Sequence, residues 1–338
     1  MRISHLIFIL FSSLAASCSS SNTDFPHEES LEQELMPLQG ITYPIKLEVK
    51  HPFLILENMK RTDSLFHIYD LTNFELKSVF GKIGEGPDDF IQPSLFNTPF
   101  PDILISDIDK KMVYQYELNK YGQLELKSSN KANYVDGAPN AAFINDSLYV
   151  LDAMYRAPCI HKLTFRDELP LKSWTYRNPD ILDYYIDPDM GYVYANENRI
   201  VFSYGYKKQI DFMDTDFNLI KRVSFDFANR TINPSSNDDV ASYGTGYLGN
   251  RYFYVLFIGT SWPEYRKLSF RGTFLEVFDL DGNPVARYHL GGIPPISFAV
   301  DEDTFILYGM RDDGEPEDNL LVYKLNGLSK YKYSSIFI

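Results

Sequence analysis

The chain has too little cysteine to be held together by disulfides. Its 338 residues contain two, Cys18 and Cys159, and one pairing at most makes neither a disulfide framework nor a cysteine-based metal site. Histidine is sparse as well. Of the six, His5 and His27 lie near the N-terminus, while His51, His67, His161 and His289 are far apart and form no HxH or HExxH pair. No metal and no cofactor are expected. Positive charge is short: 32 Lys and Arg against 46 Asp and Glu leave a net charge of −14. Such a surface repels phosphate backbones and anionic headgroups, which argues against nucleic acid and against electrostatic adhesion to lipid. Ala-rich helical stretches are absent, and no Gly-x-Ser-x-Gly elbow occurs.

Aromatic residues are abundant. The 25 Tyr, 25 Phe and 2 Trp make up 15% of the chain, and such residues suit pleated, half-buried surfaces, which favours sheet over helix. The 44% apolar content is enough for a substantial core.

The N-terminus carries an address. Arg2 precedes a mostly apolar run from Ile3 to Leu14, followed by Ala15, Ala16, Ser17 and Cys18. The run is shorter than the roughly 20 residues of a membrane span and fits a secretory signal. A plain signal does not explain the closing cysteine. The segment resembles the lipobox of bacterial lipoproteins, with Ala15 where leucine is usual, and the resemblance implies acylation of Cys18. Several acyl chains on one residue would anchor firmly. Cys159 is then left as a small buried hydrophobe. Residues 1–17 are read as the signal peptide and 18–40 as a flexible polar tether, with at most a turn or two of helix over Glu28 to Met36.

From residue 41 to 338 a weak unit recurs: an alternating strand, a short turn and a second alternating strand. The clearest copies are His67 to Leu71 leading to Phe74 to Phe80, and Tyr114 to Leu118 leading to Leu124 to Leu126. Others are His161 to Phe165, Asp211 to Asp214, Glu276 to Leu280 and Val322 to Leu325. With Asp70, Glu117, Thr164, Asp214, Asp279 and Lys324 as equivalent positions, the intervals are 47, 47, 50, 65 and 45 residues. Between these copies lie further strand-like runs, among them Asp102 to Ser106, Ser147 to Leu151, Arg199 to Ser203 and Arg251 to Ile258. Units of 40–50 residues with about four antiparallel strands each are the pattern of propeller blades. The expected fold is an all-β, six-bladed β-propeller, in which each sheet buries its faces against its neighbours in a closed ring. A sandwich or barrel is the alternative. The interval of 65 places an insertion of about 18 residues around Trp262 to Arg271, and Thr42 to Val49 is the candidate strand for closing the ring.

After the first unit comes Gly81-Lys82-Ile83-Gly84-Glu85-Gly86-Pro87-Asp88-Asp89-Phe90. With six units and an anchored N-terminus, this run resembles the TolB-like six-bladed β-propeller lipoproteins of Gram-negative bacteria. The resemblance implies the fold and a place in the cell envelope, in the outer membrane, and carries no catalytic residues. The run is not a dinucleotide loop, because its glycines are spaced in the wrong order and lead into Pro87. Gly81, Gly84 and Gly86 are expected to supply positive φ where the chain crosses between blades, with Pro87 stiffening the exit and Phe90 anchoring it.

Asp279-Leu280-Asp281-Gly282-Asn283 begins like a calcium loop but lacks the bidentate glutamate, so it reads as a hairpin turn. The acidic loops Asp187 to Asp189 and Asp312 to Asp318 read as solvated connections. In the insertion, Trp262, Tyr265 and Arg266 are candidate ligand-binding residues, being of the types enriched at binding hot spots; a loop folded back as a cap is the structural alternative. The functional expectation is a monomeric, lipid-anchored envelope module that binds a protein or glycan without catalysis. The alternative is a propeller hydrolase or lyase with an axial site. Convergent His, Asp, Glu and Arg from three or more blades at the funnel mouth favour the enzyme, and scattered aromatics and backbone groups favour the binder.

Overall fold

The computed structural model describes residues 24–40, 44–58, 63–98, 101–131, 141–152, 159–167, 169–176, 189–226, 239–311 and 319–328. Two short strands come first, β1 (Glu28–Leu31) and β2 (Glu34–Pro37). Blade 1 follows with β3 (Pro44–Lys50), β4 (Phe53–Asn58), β5 (Phe66–Asp70) and β6 (Leu76–Phe80), and blade 2 with β7 (Pro93–Phe96), β8 (Ile103–Asp107), β9 (Met112–Leu118) and β10 (Leu124–Lys131). Blade 3 holds β11 (Ala141–Phe143), β12 (Leu148–Asp152), β13 (Cys159–Thr164) and β14 (Lys172–Thr175). Blade 4 holds β15 (Gly191–Ala195), β16 (Ile200–Tyr204), β17 (Gln209–Met213) and β18 (Leu219–Ser224). Blade 5 has the long β19 (Val240–Leu248) and β20 (Tyr252–Ser261), a one-turn helix α1 (Trp262–Tyr265), then β21 (Phe274–Asp279) and β22 (Pro284–Leu290). Blade 6 is completed by β23 (Ser297–Asp301), β24 (Ile306–Met310) and β25 (Asn319–Lys324). Within each blade the consecutive strands pair antiparallel. The fold is the expected six-bladed propeller, and the insertion falls where the longest interval put it.

The hydrophobic clusters lie between blades, as a ring of stacked sheets requires. One joins blades 1 and 2 (Phe66, Ile68, Ile103, Ile105), one blades 2 and 3, one blades 3 and 4, and one blades 4 and 5. The largest runs across blades 5, 6 and 1, bringing Tyr254 and Val277 together with Leu307 and Leu54. Each fully buried Leu, Ile or Phe there contributes about 1.5–3 kcal/mol relative to exposure. Cys159 is a free, buried thiol in β13, as its reading as a small hydrophobe required.

The turn between third and fourth strands repeats one device. A short polar side chain at the end of the third strand accepts backbone N–H groups of the turn: Asp70 from Thr72, Asn119 from Tyr121 and Gln123, Thr164 from Arg166 and Asp167, Asp214 from Asp216 and Asn218, and Asp279 from Asp281 and Asn283. These are side-chain turns that preset the hairpin. Asp279 to Asn283 is thus a turn, with Gly282 at φ +77° supplying its left-handed residue.

Ring closure differs from expectation. The proposed closing strand, Thr42 to Val49, overlaps β3 (Pro44–Lys50), the first strand of blade 1, and closure falls to β2, which pairs antiparallel with β25 as the outer strand of blade 6. β1 adds a fifth, parallel strand outside β22 of blade 5. Part of the stretch 18–40 expected to be a flexible tether is therefore strand, and the turn of helix expected over Glu28 to Met36 is strand too. The reason is the partner: these residues complete two sheet edges whose ladders come from the far end of the chain. Phe25 packs against Phe225 and Phe278, and Leu31 and Leu38 are buried in the core.

Candidate functional site

The first strands of the blades meet around the axis: β23 contacts β3, β3 contacts β7, β11 contacts β15, β15 contacts β19 and β19 contacts β23. They enclose a cavity of 340 Å³ to which all six blades contribute, among them Lys46, Phe96, Ala142, Tyr194, Thr245 and Phe298. On the side of the first-to-second strand turns a wider mouth of 690 Å³ opens, bordered by Lys50, His51, Lys120, Arg251, Asp301 and Glu302.

Strand alternation on β3 sets the chemistry of the axis. Leu47 and Val49 join the apolar cluster shared with blade 6, while Lys46, Glu48 and Lys50 alternate with them and reach blade 2. Lys46 Nζ donates to Ser94 Oγ at 2.6 Å and lies 5.1 Å from the Phe96 ring centroid. Glu57, its cross-strand partner on β4, is fully buried and accepts Leu95 N–H at 2.7 Å. Burial pushes the Glu57 carboxyl up to about 7 against the opposing pull of Lys46, and burial lowers the Lys46 ammonium while Glu57 raises it. Glu48 is buried against Lys50 at 2.7 Å and accepts Thr98 N–H at 3.2 Å, and burial raises its carboxyl despite Lys50. One oxygen each of Glu48 and Glu57 is buried without a hydrogen-bond partner among the described residues.

The mouth is built from charged groups that hold one another. His51 Nδ1 lies 3.0 Å from Asp301 Oδ2, with the imidazole 45% exposed and the carboxylate 3% exposed. Asp301 Oδ1 also accepts Asp303 N–H at 2.9 Å, closing its own turn. Glu302 accepts N–H groups of Asn250, Arg251 and Tyr252, which locks the turns of blades 5 and 6 together, and Arg251 also lies over Phe305. Burial, with Arg251 and these N–H groups opposing, raises the Glu302 carboxyl. Charged groups therefore converge from blades 1, 5 and 6. Among the described residues, no group of three or more His, Cys, Asp or Glu is placed to hold a metal ion.

The insertion is folded back against the opposite end of the ring. Tyr265 is 1% exposed and donates its hydroxyl to Pro295 O; Trp262 packs edge-on against it. Arg266 is exposed, and its carbonyl accepts Arg311 Nη2 at 2.7 Å, while Arg311, buried, also donates to Pro294 O. Trp262 and Tyr265 pack in the cluster that holds Ile296, and none of the three candidates is among the residues lining the channel.

The glycine run forms the crossing from blade 1 to blade 2. Gly81 has φ +76°, as expected, but Gly84 and Gly86 lie outside the left-handed region. Their reason is space: a Cβ at either would collide with the Asp89 carboxylate, which accepts Gly86 N–H at 3.1 Å. Lys110 ties the loop down through Gly86 O and Asp89 O, and Phe90, buried to 1%, packs on Phe66 and Phe80. Cys18, Asp187, Pro188 and the loop 312–318 lie outside the described residues; Asp189 pairs with Lys207.

Sequence reading missed Lys46, Glu48, Glu57 and the mouth pairs. A signal was present in Pro44-Ile45-Lys46-Leu47-Glu48-Val49-Lys50, where alternate residues of a first strand are charged.

Six blades around an apolar axis with a charged mouth define a β-propeller with a potential axial site. No family model matches the chain, and no curated protein matches it either. Two bacterial proteins are among the solved structures that share its fold. One is a Bacteroides fragilis protein provisionally classed as exported, 11% identical, with a TM-score of 0.55 over 88% of this chain and 98% of that one. The other is a member of the DUF4221 family from Bacteroides vulgatus, 14% identical, with a TM-score of 0.54 over 86% of this chain and 95% of that one.

Proposed function

We propose that this chain is an exported, lipid-anchored module of the TolB-like kind that binds an envelope protein or glycan at the mouth of its propeller, without catalysis. The observation that carries this reading is the pairing of the mouth's charged groups. Arg251, Glu302 and Lys50 are each engaged in holding one blade's turn to the next, so the mouth offers a rigid polar rim, and recognition sites gain from such preorganisation. Export agrees with the signal-like N-terminus and with the Bacteroides fragilis fold relative.

The mouth also meets the mark set above for an enzyme, since His51, Arg251, Asp301 and Glu302 converge there from blades 1, 5 and 6, and one pair among them favours a second reading. The buried Asp301 orients the half-exposed His51, the geometry of a general base held by a carboxylate, and this supports an axial hydrolase or lyase. One experiment separates the two. Binding of the full-length protein to a glycan array and to immobilised envelope proteins is compared with that of Lys120→Glu and Asp303→Lys, both at the mouth. The binder predicts a loss of about tenfold or more for the reversals and no effect of His51→Ala on any ligand's integrity. Consumption of a bound ligand that stops in His51→Ala would establish the enzyme instead.

A further inference from the structure

We propose that the axial channel is a binding site for a small carboxylate with an apolar or aromatic body, and that the Lys46 ammonium meets its charged end. This deepens the binding reading by naming a ligand chemistry, and it concerns the channel and not the mouth.

Among the described residues that line the channel, Lys46 alone is charged. An ammonium has three N–H donors, and among the described residues Ser94 Oγ is its hydrogen-bond acceptor. The Phe96 face steadies the cation on one side without using a donor. The rest of the lining mixes apolar and aromatic groups, Leu95, Phe96, Val193, Tyr194 and Phe298 among them, with the uncharged polar groups of Asn97, Thr245 and Ser297. Glu57 is the built-in countercharge, but one of its oxygens is engaged by Leu95 N–H. Burial raises the Glu57 carboxyl and lowers the Lys46 ammonium, so each loses part of its charge's support, and an anion entering beside Lys46 favours the charged ammonium.

The neighbouring acid does not change this. Glu48 shares the blade 2 side of β3, but Lys50 engages it at 2.7 Å. An anion entering from water exchanges hydration for an ammonium in a low-dielectric setting, where the attraction is several times stronger than in bulk solvent. The channel's 340 Å³ lies at the small end of ligand sites, which run from about 300 to 1,000 Å³. A single ammonium without an arginine fork suits one negative charge better than the several oxygens of a phosphate.

The test is calorimetric titration of detergent-extracted full-length protein with 4-hydroxyphenylacetate and with its neutral amide. The acid is expected to bind about tenfold or more tightly than the amide, and Lys46→Met is expected to erase the difference, whereas Lys82→Met, an exposed control, keeps it. Equal binding of acid and amide by the parent overturns the role of Lys46 and leaves a channel that binds without regard to charge. Binding of neither at millimolar concentration overturns the channel site altogether, while ligand binding at the mouth is judged separately by Lys120→Glu and Asp303→Lys. A preference that survives in folded Lys46→Met also overturns it. Should Lys46→Met not fold, acylation of lysines in the native protein decides: the acid is expected to protect Lys46 several-fold and Lys82 not at all, and unchanged acylation of Lys46 refutes the proposal.

Discussion

Asp152 ends the second strand of blade 3 with no exposed surface, one oxygen accepting the Tyr176 hydroxyl at 2.9 Å and the other without a partner among the described residues. Burial pushes its carboxyl from 3.8 to about 7, with the Tyr176 hydrogen bond pulling the other way. Glu57 moves from 4.5 to about 7 for the same reason. A carboxyl whose pKa rises on folding binds its proton more tightly in the native state. Its stabilising share is complete below the unfolded value and is lost as pH climbs through the folded one. Stability should therefore fall between about pH 4 and pH 8. Asp152→Asn keeps the acceptor for Tyr176 and removes its titration, so it should flatten part of that slope, leaving the share of Glu48, Glu57 and Glu302, and raise stability at pH 8 by on the order of 2 kcal/mol. Denaturant unfolding of parent and variant at pH 5, 6.5 and 8 reads this directly; parallel curves for the two proteins would refute it. Neither burial was legible in sequence, because an acid at a strand's end looks the same whether its sheet edge faces water or the next blade. Gly84 and Gly86 show the converse. Their need was legible, but its cause lies in the Asp89 side chain and not in their own dihedral angles.

At the scale of elements, the third strand of every blade was readable, because alternation is strongest there and the polar turn residue follows at once. Tyr114 to Leu118 falls inside β9, and Glu276 to Leu280 overruns the end of β21 by one residue. The strands that escaped were those whose reason to exist is distant. Glu34-Leu35-Met36-Pro37 has no inward-outward alternation, and Leu35 is 49% exposed. It is a strand because Val322, Leu321 and Leu320 offer an open edge some 290 residues away. Its hold is reinforced by Gln33, whose side chain donates to Ile293 O and to the Tyr323 hydroxyl and accepts Ile293 N–H at 3.1 Å. Gln33→Ala takes the acceptor from Ile293 N–H, while the Tyr323 hydroxyl keeps Gly291 O and Ile293 O, and should cost about 1 kcal/mol. A chain beginning at Leu38 lacks both strands and should lose far more, since blade 6 would present an unpaired edge in β25. Thermal unfolding of these two variants beside a chain beginning at Asp24 tests the assignment. If the Leu38 chain melts with the parent, β2 is not the closing strand.

For the whole molecule, charge and attachment bear on the same question. A net charge of −14 opposes adhesion to anionic lipid, and no helix among the described residues is long and apolar enough to cross a membrane. Exposed apolar residues among those described, such as Leu76 and Val79 on β6 and Leu219 and Ile220 on β18, sit on the outer strands of different blades. If the chain is held at a membrane, covalent lipid on Cys18 is the means that the sequence offers. Acyl chains bind through buried methylenes, each contributing about 0.8 kcal/mol, and hydrocarbon burial does not weaken in salt as ion pairing does. Parent protein should therefore stay in the membrane fraction through a 1 M salt wash and leave it only in detergent. Cys18→Ala, produced in the same cells, should appear in the soluble fraction without any wash and with an unchanged melting temperature, because Cys18 precedes the first strand by ten residues. Salt-resistant retention of Cys18→Ala would mean that the propeller itself, or a protein bound to its mouth, carries the attachment. A salt wash that stripped the parent would replace the lipid with electrostatics.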